Sequence, residues 1–333
     1  MPVFMIGMQR SGSNLLRLML NQLPGIAAPH PPHILERLGP FESSYGDLHK
    51  GSNFEQLVSD VCRLVETNPV KWESVDLDPK AIMDSCRERS LVAVYGAVHD
   101  CLARAWGGTD WLCKSMANVH YLGEIERYFG KSARFIYLYR DGRDVALSFR
   151  KALIGDKTFY HLGKAWDEAQ QLSLALSRRV HESQFIALSY EELTSRPEPA
   201  LRRLCGFLGA EYSPKMMEFH RSAEAQRTAV TGLWSNVNQP VDSKNSNKFL
   251  REASTEEIRH FESVAGESLD ELNYPRHCSE RGKQYRISSA TLSALDQENK
   301  QLRARARKLT KPVDLKLRKP QARLMESIRV RFA

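Results

Sequence analysis

The feature that most constrains the fold is the first twenty residues, MPVFMIGMQRSGSNLLRLML. Pro2 to Gly7 is a short apolar run with the length of a buried strand. Gln9 to Ser13 breaks it with a glycine and two serines. Asn14 to Leu20 then carries Leu15, Leu16, Leu18, Met19 and Leu20, a helix entering a core. Strand, glycine-bearing loop and helix together set backbone N–H groups and a helix N-terminus around an anion. Arg10 adds a fixed positive charge, and Ser11 and Ser13 add hydroxyl donors. The stretch reads either as a phosphate- or sulfate-binding loop or as an ordinary strand–turn–helix with an exposed arginine.

A second unit of the same kind lies at Ala133 to Arg150. Arg134 to Tyr139 is an apolar, β-rich run, Arg140 to Asp144 is a charged turn, and a helix starts at Val145 with Asp144 as its expected N-cap. Ser148 falls on the first turns of that helix, within reach of Arg140. A third apolar run, Trp111–Leu112–Cys113, ends on Lys114. In an open parallel sheet, ligands bind outside the carboxyl ends of the strands. Arg10, Lys114 and Arg140 would then share one edge, which weighs against three unrelated surface salt bridges.

Between the first helix and the next, Pro29, Pro31 and Pro32 forbid a helix and favour a stiff, extended chain. His30, His33 and Glu36 lie in this stretch, which is a holder for a general base or a surface loop with solvated histidines. Amphipathic spacing predicts helices over residues 54–68, 80–88, 91–105, 119–129, 159–179, 199–208 and 255–265, with another strand over residues 184–189. No apolar run reaches the roughly 18–20 residues of a membrane span, and no charged head precedes the first strand, so a cytoplasmic protein is expected. The six cysteines form no CxxC pair, which argues against a zinc site and a disulfide scaffold. The net charge of +8 belongs to the end of the chain: residues 285–333 hold thirteen Lys and Arg against four Asp and Glu, and the remainder is close to neutral. The expected division is therefore 1–284 for the main domain and 285–333 for a basic, partly helical extension, in which a helix over residues 290–309 is followed by breaks at Pro312 and Pro320.

The residues at this point carry a resemblance. Gln9-Arg-Ser-Gly-Ser-Asn-Leu-Leu resembles the 5′-phosphosulfate loop of sulfotransferases that use 3′-phosphoadenylyl sulfate (PAPS), and Tyr139-Arg-Asp-Gly-Arg-Asp-Val-Ala-Leu-Ser resembles their 3′-phosphate motif. The two motifs, in this order and this far apart, are specific as a pair. Within the family the chain is most similar to the bacterial-type branch that includes the tyrosylprotein sulfotransferases. The resemblance covers residues 2–275 and implies an α/β, P-loop-like three-layer fold with a central, mostly parallel sheet flanked by helices. It implies PAPS as sulfuryl donor and no metal.

Residue by residue, the resemblance places Arg10, Ser11, Gly12, Ser13 and Asn14 on the 5′-phosphosulfate, with Ser13 and Asn14 standing where the family usually has Thr. It places Arg140 and Ser148 on the 3′-phosphate, Tyr190 near the nucleotide, and Lys114 on the transferring sulfuryl group. Lys248-Phe249 falls where the family has a basic residue and an aromatic that closes over the cofactor. The acidic residues of the protein-tyrosine enzymes fall on His30 and Pro31 here, so His30, His33 or Glu36 is the expected base and a tyrosine-peptide acceptor does not carry over. The acceptor is a small-molecule, carbohydrate, lipid or peptide hydroxyl. Trp234 either lines its pocket or anchors a loop.

The basic extension would meet an anionic membrane surface, a polyanion or a partner chain, or simply be solvated. No sequence-specific nucleic-acid contact is expected. The competing readings are a P-loop nucleotide kinase, against which the missing GxxxxGK[ST] lysine counts, and a non-catalytic nucleotide-binding protein whose tail binds nucleic acid.

Overall fold

The computed structural model describes residues 1–230, 235–282 and 285–333; Trp234 lies outside them. Five strands form one sheet: β1 (Pro2–Ile6), β2 (Ile26–Ala27), β3 (Asp110–Cys113), β4 (Arg134–Tyr139) and β5 (Phe185–Ser189), in the order β2-β3-β1-β4-β5. Every pairing is parallel, with Val3 to Ile6 of β1 in register with Arg134 to Tyr137 of β4, and Pro2 to Phe4 with Trp111 to Cys113 of β3. A parallel sheet covered on both faces needs apolar side chains at every position, which is why β1 is a continuous apolar run rather than an alternating one. Phe4 and Ile6 enter one core and Val3 and Met5 the other.

The first core is roofed by α3 (Gly51–Glu66) and α5 (Leu91–Ala105), and the second by α1 (Ser13–Leu20) and the Pro197–Leu208 helix. Helix α2 (Ile34–Leu38) and α4 (Pro79–Ser85) fill the corners of the first layer. The three-layer α/β architecture expected from the sequence is the one observed. With all strands parallel, all five C-terminal ends open on one edge. The chain leaves β1 through Gly7 at φ +118°, where an added Cβ would lie 2.4 Å from the Leu138 carbonyl oxygen, so only glycine fits this close strand-to-strand exit.

One strand was not expected, and two local expectations are corrected. Strand β2 has two residues, too few to leave a sequence pattern. The helix after β4 begins at Gly142, not Val145, because the Asp141 carboxylate accepts from the Arg143 N–H and serves as N-cap. Asp144 is thereby released to accept from the N–H groups of Asn247 and Phe249, at 2.7 and 3.0 Å, tying that distant segment to the sheet edge. The second correction concerns Pro320, which sits inside a continuous helix, Pro312–Phe332, instead of breaking it. Pro320 and Lys316, four residues before it, are both exposed, so the lost backbone bond lies on the solvent side of the helix.

The basic extension folds onto the body. Leu324, Met325 and Ile328 join the first core, Gln321 Nε2 donates to the Leu64 carbonyl at 3.2 Å, and Arg331 pairs with the buried Asp60. The other helix of the extension, Ser289–Lys308, braces the loop after the Gly142–Lys151 helix. Asn299 Oδ1 accepts from the Lys157 N–H at 2.7 Å, and Arg303 pairs with Asp156 at 3.1 Å. Among the described residues no helix is long and apolar enough to cross a membrane, and all six cysteines are free.

Candidate functional site

The order of strands across the sheet lays out the side chains that follow them. From one edge to the other, β2 leads to His30 and His33, β3 to Lys114 and Ser115, β1 to the loop Gly7–Gly12, β4 to Arg140, and β5 to Tyr190. Neighbouring strands lie about 4.8 Å apart, so these groups spread over roughly 20 Å. They line one cavity of about 830 Å³, which takes in every expected site residue except Ser11. The geometry suits an extended ligand held at one end and worked on at the other.

At the β1–β4–β5 end, the backbone turns through Arg10 at φ +71° and Gly12 at φ +90° before α1 begins. Gly12 sits against Tyr190, where an added Cβ would come within 2.5 Å of the ring. Among the described residues helix α1 has no side-chain cap, so its first N–H groups are left open beside the cavity-lining Ser13 and Asn14, whereas the Gly142–Lys151 helix is already capped by Asp141. Arg10 Nε donates to Ser148 Oγ at 3.1 Å, and Arg140 Nη1 donates to the Arg10 carbonyl at 3.3 Å. The Arg140 guanidinium lies 4.4 Å over the Tyr190 ring, and Asn245 Nδ2 donates to the Tyr190 hydroxyl at 2.9 Å. Ser11 Oγ and Arg140 Nε are buried and have no hydrogen-bond partner among the described residues. Buried donors without partners are expensive, and a multiply charged anion would satisfy all of them at once. The residues present fit a bound phosphate or sulfate ester.

Two buried cations lie behind this cradle. Arg17 on α1 is fully buried, donating to Glu224 at 2.7 Å, to the Ala28 carbonyl at 2.9 Å and to Thr228 at 3.0 Å. Lys114 is nearly as buried, and its pKa is pulled down to about 7, first by loss of solvent and then by the Arg17 and Arg10 charges. Burial and the neighbouring Arg140 lower Arg10 as well. This is a site built with an excess of positive charge.

At the β2–β3 end, the stiff Pro29–Pro32 stretch delivers His33 in a left-handed conformation, φ +60°. Its Nδ1 lies 2.9 Å from Ser115 Oγ and 3.1 Å from Glu36 Oε2. A carboxylate at that distance holds the proton on Nδ1 and leaves the Nε2 lone pair for the cavity. Burial lowers the His33 pKa, opposed by Glu36, and the bond from His33 holds the Glu36 carboxyl below its usual range. His30 is more deeply buried, and burial, with the Lys114 and Arg17 charges, holds it well below the ordinary histidine value. Both rings are neutral at pH 7 on this account.

Some contributors were not legible beforehand. Ser115 orients His33, and only its place next to Lys114 hinted at it. Arg37, Asn245, Arg318 and Gln321 also line the cavity, the last two from the extension, where any single arginine is lost among many. Lys248 reaches the cavity wall, but Phe249 does not. It is buried under Arg143, whose guanidinium lies 4.2 Å from its ring. Among the described residues no three His, Cys, Asp or Glu side chains are grouped to hold a metal ion.

Comparison with known proteins gives one family. The model of the sulfotransferase family matches residues 2–214. The sulfotransferase domain of the Synechococcus PCC 7002 olefin synthase superposes with a TM-score of 0.56 at 22% identity, over 80% of this chain and 94% of its own. The sulfotransferase domain from the curacin biosynthetic pathway gives 0.57 at 18% identity, over 83% and 98%. At these identities the two structures speak for the fold. A search of curated proteins returned no match.

Proposed function

Because this chain belongs to the sulfotransferase family, we propose that it moves a sulfuryl group from PAPS to an acceptor hydroxyl. The observation that carries the reading is the shared cavity. An anion cradle made by Arg10, Gly12, Arg140 and the open N-terminus of α1 faces an oriented histidine–carboxylate pair, with Lys114 between them. Arg140, Ser148, Tyr190 and Lys248 hold the 3′-phosphate and nucleotide, while Arg10 and the residues from Ser11 to Asn14 hold the 5′-phosphosulfate.

The chemistry follows from charge and direction. The acceptor oxygen attacks sulfur, a new S–O bond forms, and the S–O bond to the nucleotide phosphate breaks in line, releasing adenosine 3′,5′-bisphosphate. His33 Nε2 takes the acceptor proton. Glu36 and Ser115 act through His33 as positioning residues. Negative charge spreads over the equatorial and leaving oxygens, as in phosphoryl transfer, and Lys114, Arg10 and the loop N–H groups stabilise it. Incubation with labelled PAPS and a metabolite extract is expected to give labelled sulfate esters. Transfer from ATP and not from PAPS would overturn the reading in favour of a kinase.

Lys114 gives a second test. With its pKa near 7 in the free protein, the lysine is about half charged at neutral pH, and a polyanion beside it raises that pKa. Binding must then take up a proton above pH 7. Affinity for adenosine 3′,5′-bisphosphate should fall as pH rises from 7, by up to about tenfold per unit, until the raised pKa is passed. Calorimetry in two buffers of different ionisation enthalpy reads the proton directly. Equal heats in both buffers at pH 8 would contradict this placement of Lys114.

A further inference from the structure

The acceptor end of the cavity holds more positive charge than the reaction uses. Arg37, on α2 one residue after Glu36, lines the cavity, and its Nε is buried without a hydrogen-bond partner among the described residues. Its guanidinium makes no ion pair with any carboxylate among the described residues. Glu36, the neighbouring acid on the cavity wall, is already committed to His33. Arg318 lines the same cavity from the Pro312–Phe332 helix; burial lowers the Arg37 pKa, Glu36 opposes it, and the Arg318 charge lowers it further. Asp314 offsets part of the Arg318 charge from within that helix. A buried guanidinium Nε left unsatisfied is costly, and with a second guanidinium lining the same cavity one anion can be met by both.

On the proposed reading the nucleotide's 3′-phosphate belongs to the opposite end of the sheet edge, at Arg140, and its 5′-phosphosulfate to the loop after the central strand β1. We infer that Arg37 and Arg318 form a subsite for an anionic group, carboxylate or phosphate, carried by the acceptor itself on the same molecule as the reacting hydroxyl. The inference rests on the sulfotransferase reading and gives it a substrate class: an acidic alcohol or phenol. It also gives the basic extension a task. Arg318 lies beyond residues 2–214, where the family match ends. It is held in place by the docking of Leu324, Met325 and Ile328 into the core and by the Arg331–Asp60 pair. The extension thus carries part of the acceptor's selection.

The test uses the full chain saturated with adenosine 3′,5′-bisphosphate, titrated with matched hydroxyl probes. One set is 4-hydroxyphenylacetate, the corresponding phosphonate and the neutral methyl ester; the other repeats these head groups on a straight-chain alcohol. An anionic probe is expected to bind at least about tenfold more tightly than its ester in one set or both, and the better head group identifies the anion. Arg37→Ala and Arg318→Ala should each remove most of that preference, leave the ester unaffected and keep the affinity for the bisphosphate, which also reports that each variant has folded. Arg37→Gln and Arg318→Lys give the same comparison if an alanine variant does not fold, with Arg318→Lys retaining part of the preference. No preference for the anion in either set, or weaker binding of the bisphosphate in place of the probe, overturns the subsite. Failure of the unmodified chain to bind the bisphosphate at all would instead count against the sulfotransferase reading.

Discussion

Replacing His33 with alanine is expected to lower kcat by about 10²–10⁴-fold, the range that a positioned general base contributes, with the affinity for adenosine 3′,5′-bisphosphate unchanged. His33 is at the β2–β3 end of the sheet edge and the nucleotide contacts are at the other, so base and binding separate cleanly. The pH profile adds a sign. Protonated His33 cannot accept the acceptor's proton, so activity falls on the acid side, through a pKa that burial places below the ordinary histidine value. Glu36 works against that burial. Glu36→Gln should therefore move the acid limb to still lower pH while reducing kcat, because the ring loses the partner that fixes its tautomer. Steady-state rates of both variants from pH 5 to 8 read this out. If His33→Ala stays within about threefold of the parent while His30→Ala loses activity, the base is His30 and the Ser115–His33–Glu36 arrangement is only structural.

Lys114→Met is expected to cost about 10²–10³-fold in kcat, the loss typical when one preorganised stabiliser of developing charge is removed. Methionine has nearly the same length and no charge, so packing beside Cys113 and Arg17 is kept. Ground-state binding should change less than turnover, because Arg10, Arg140 and the α1 N–H groups remain. The same variant should abolish the proton uptake on nucleotide binding. Single-turnover rates set beside equilibrium affinities separate the two effects. A loss confined to affinity, with the single-turnover rate intact, would make Lys114 a nucleotide anchor and not a transition-state group.

How much of this was legible in the sequence depended on whether a feature was local. Strands β1, β3, β4 and β5 announced themselves as apolar runs ended by a charged or polar residue, and a parallel sheet turns such endings into neighbours. Arg10, Lys114 and Arg140 were therefore expected on one edge, whereas Tyr190 came from the resemblance alone. The contact that sets His33 apart from His30 was not legible, because Ser115, which meets the imidazole, is eighty-two positions away. The docking of the last helix was hidden by Pro320. The rule that proline breaks helices masked the apolar stripe of Leu324, Met325 and Ile328 behind it, and the exposed face on which the proline sits is a tertiary fact.

The left-handed backbone at Arg10 and His33 has a consequence for how such a protein can be engineered. Five non-glycine residues among those described have positive φ: Arg10, His33, Ser74, Asn247 and Asn273. Asparagine tolerates this region well, and two of the five positions use it. Arg10 and His33 accept a penalty of roughly 1–2 kcal/mol each for a side chain that their backbone geometry disfavours. On the proposed mechanism, heat resistance and turnover pull these two positions in opposite directions. A designer who ranks substitutions by folding energy alone would replace them first, with glycine or asparagine, and would obtain a sturdier protein without the arginine and the histidine that the proposed mechanism uses.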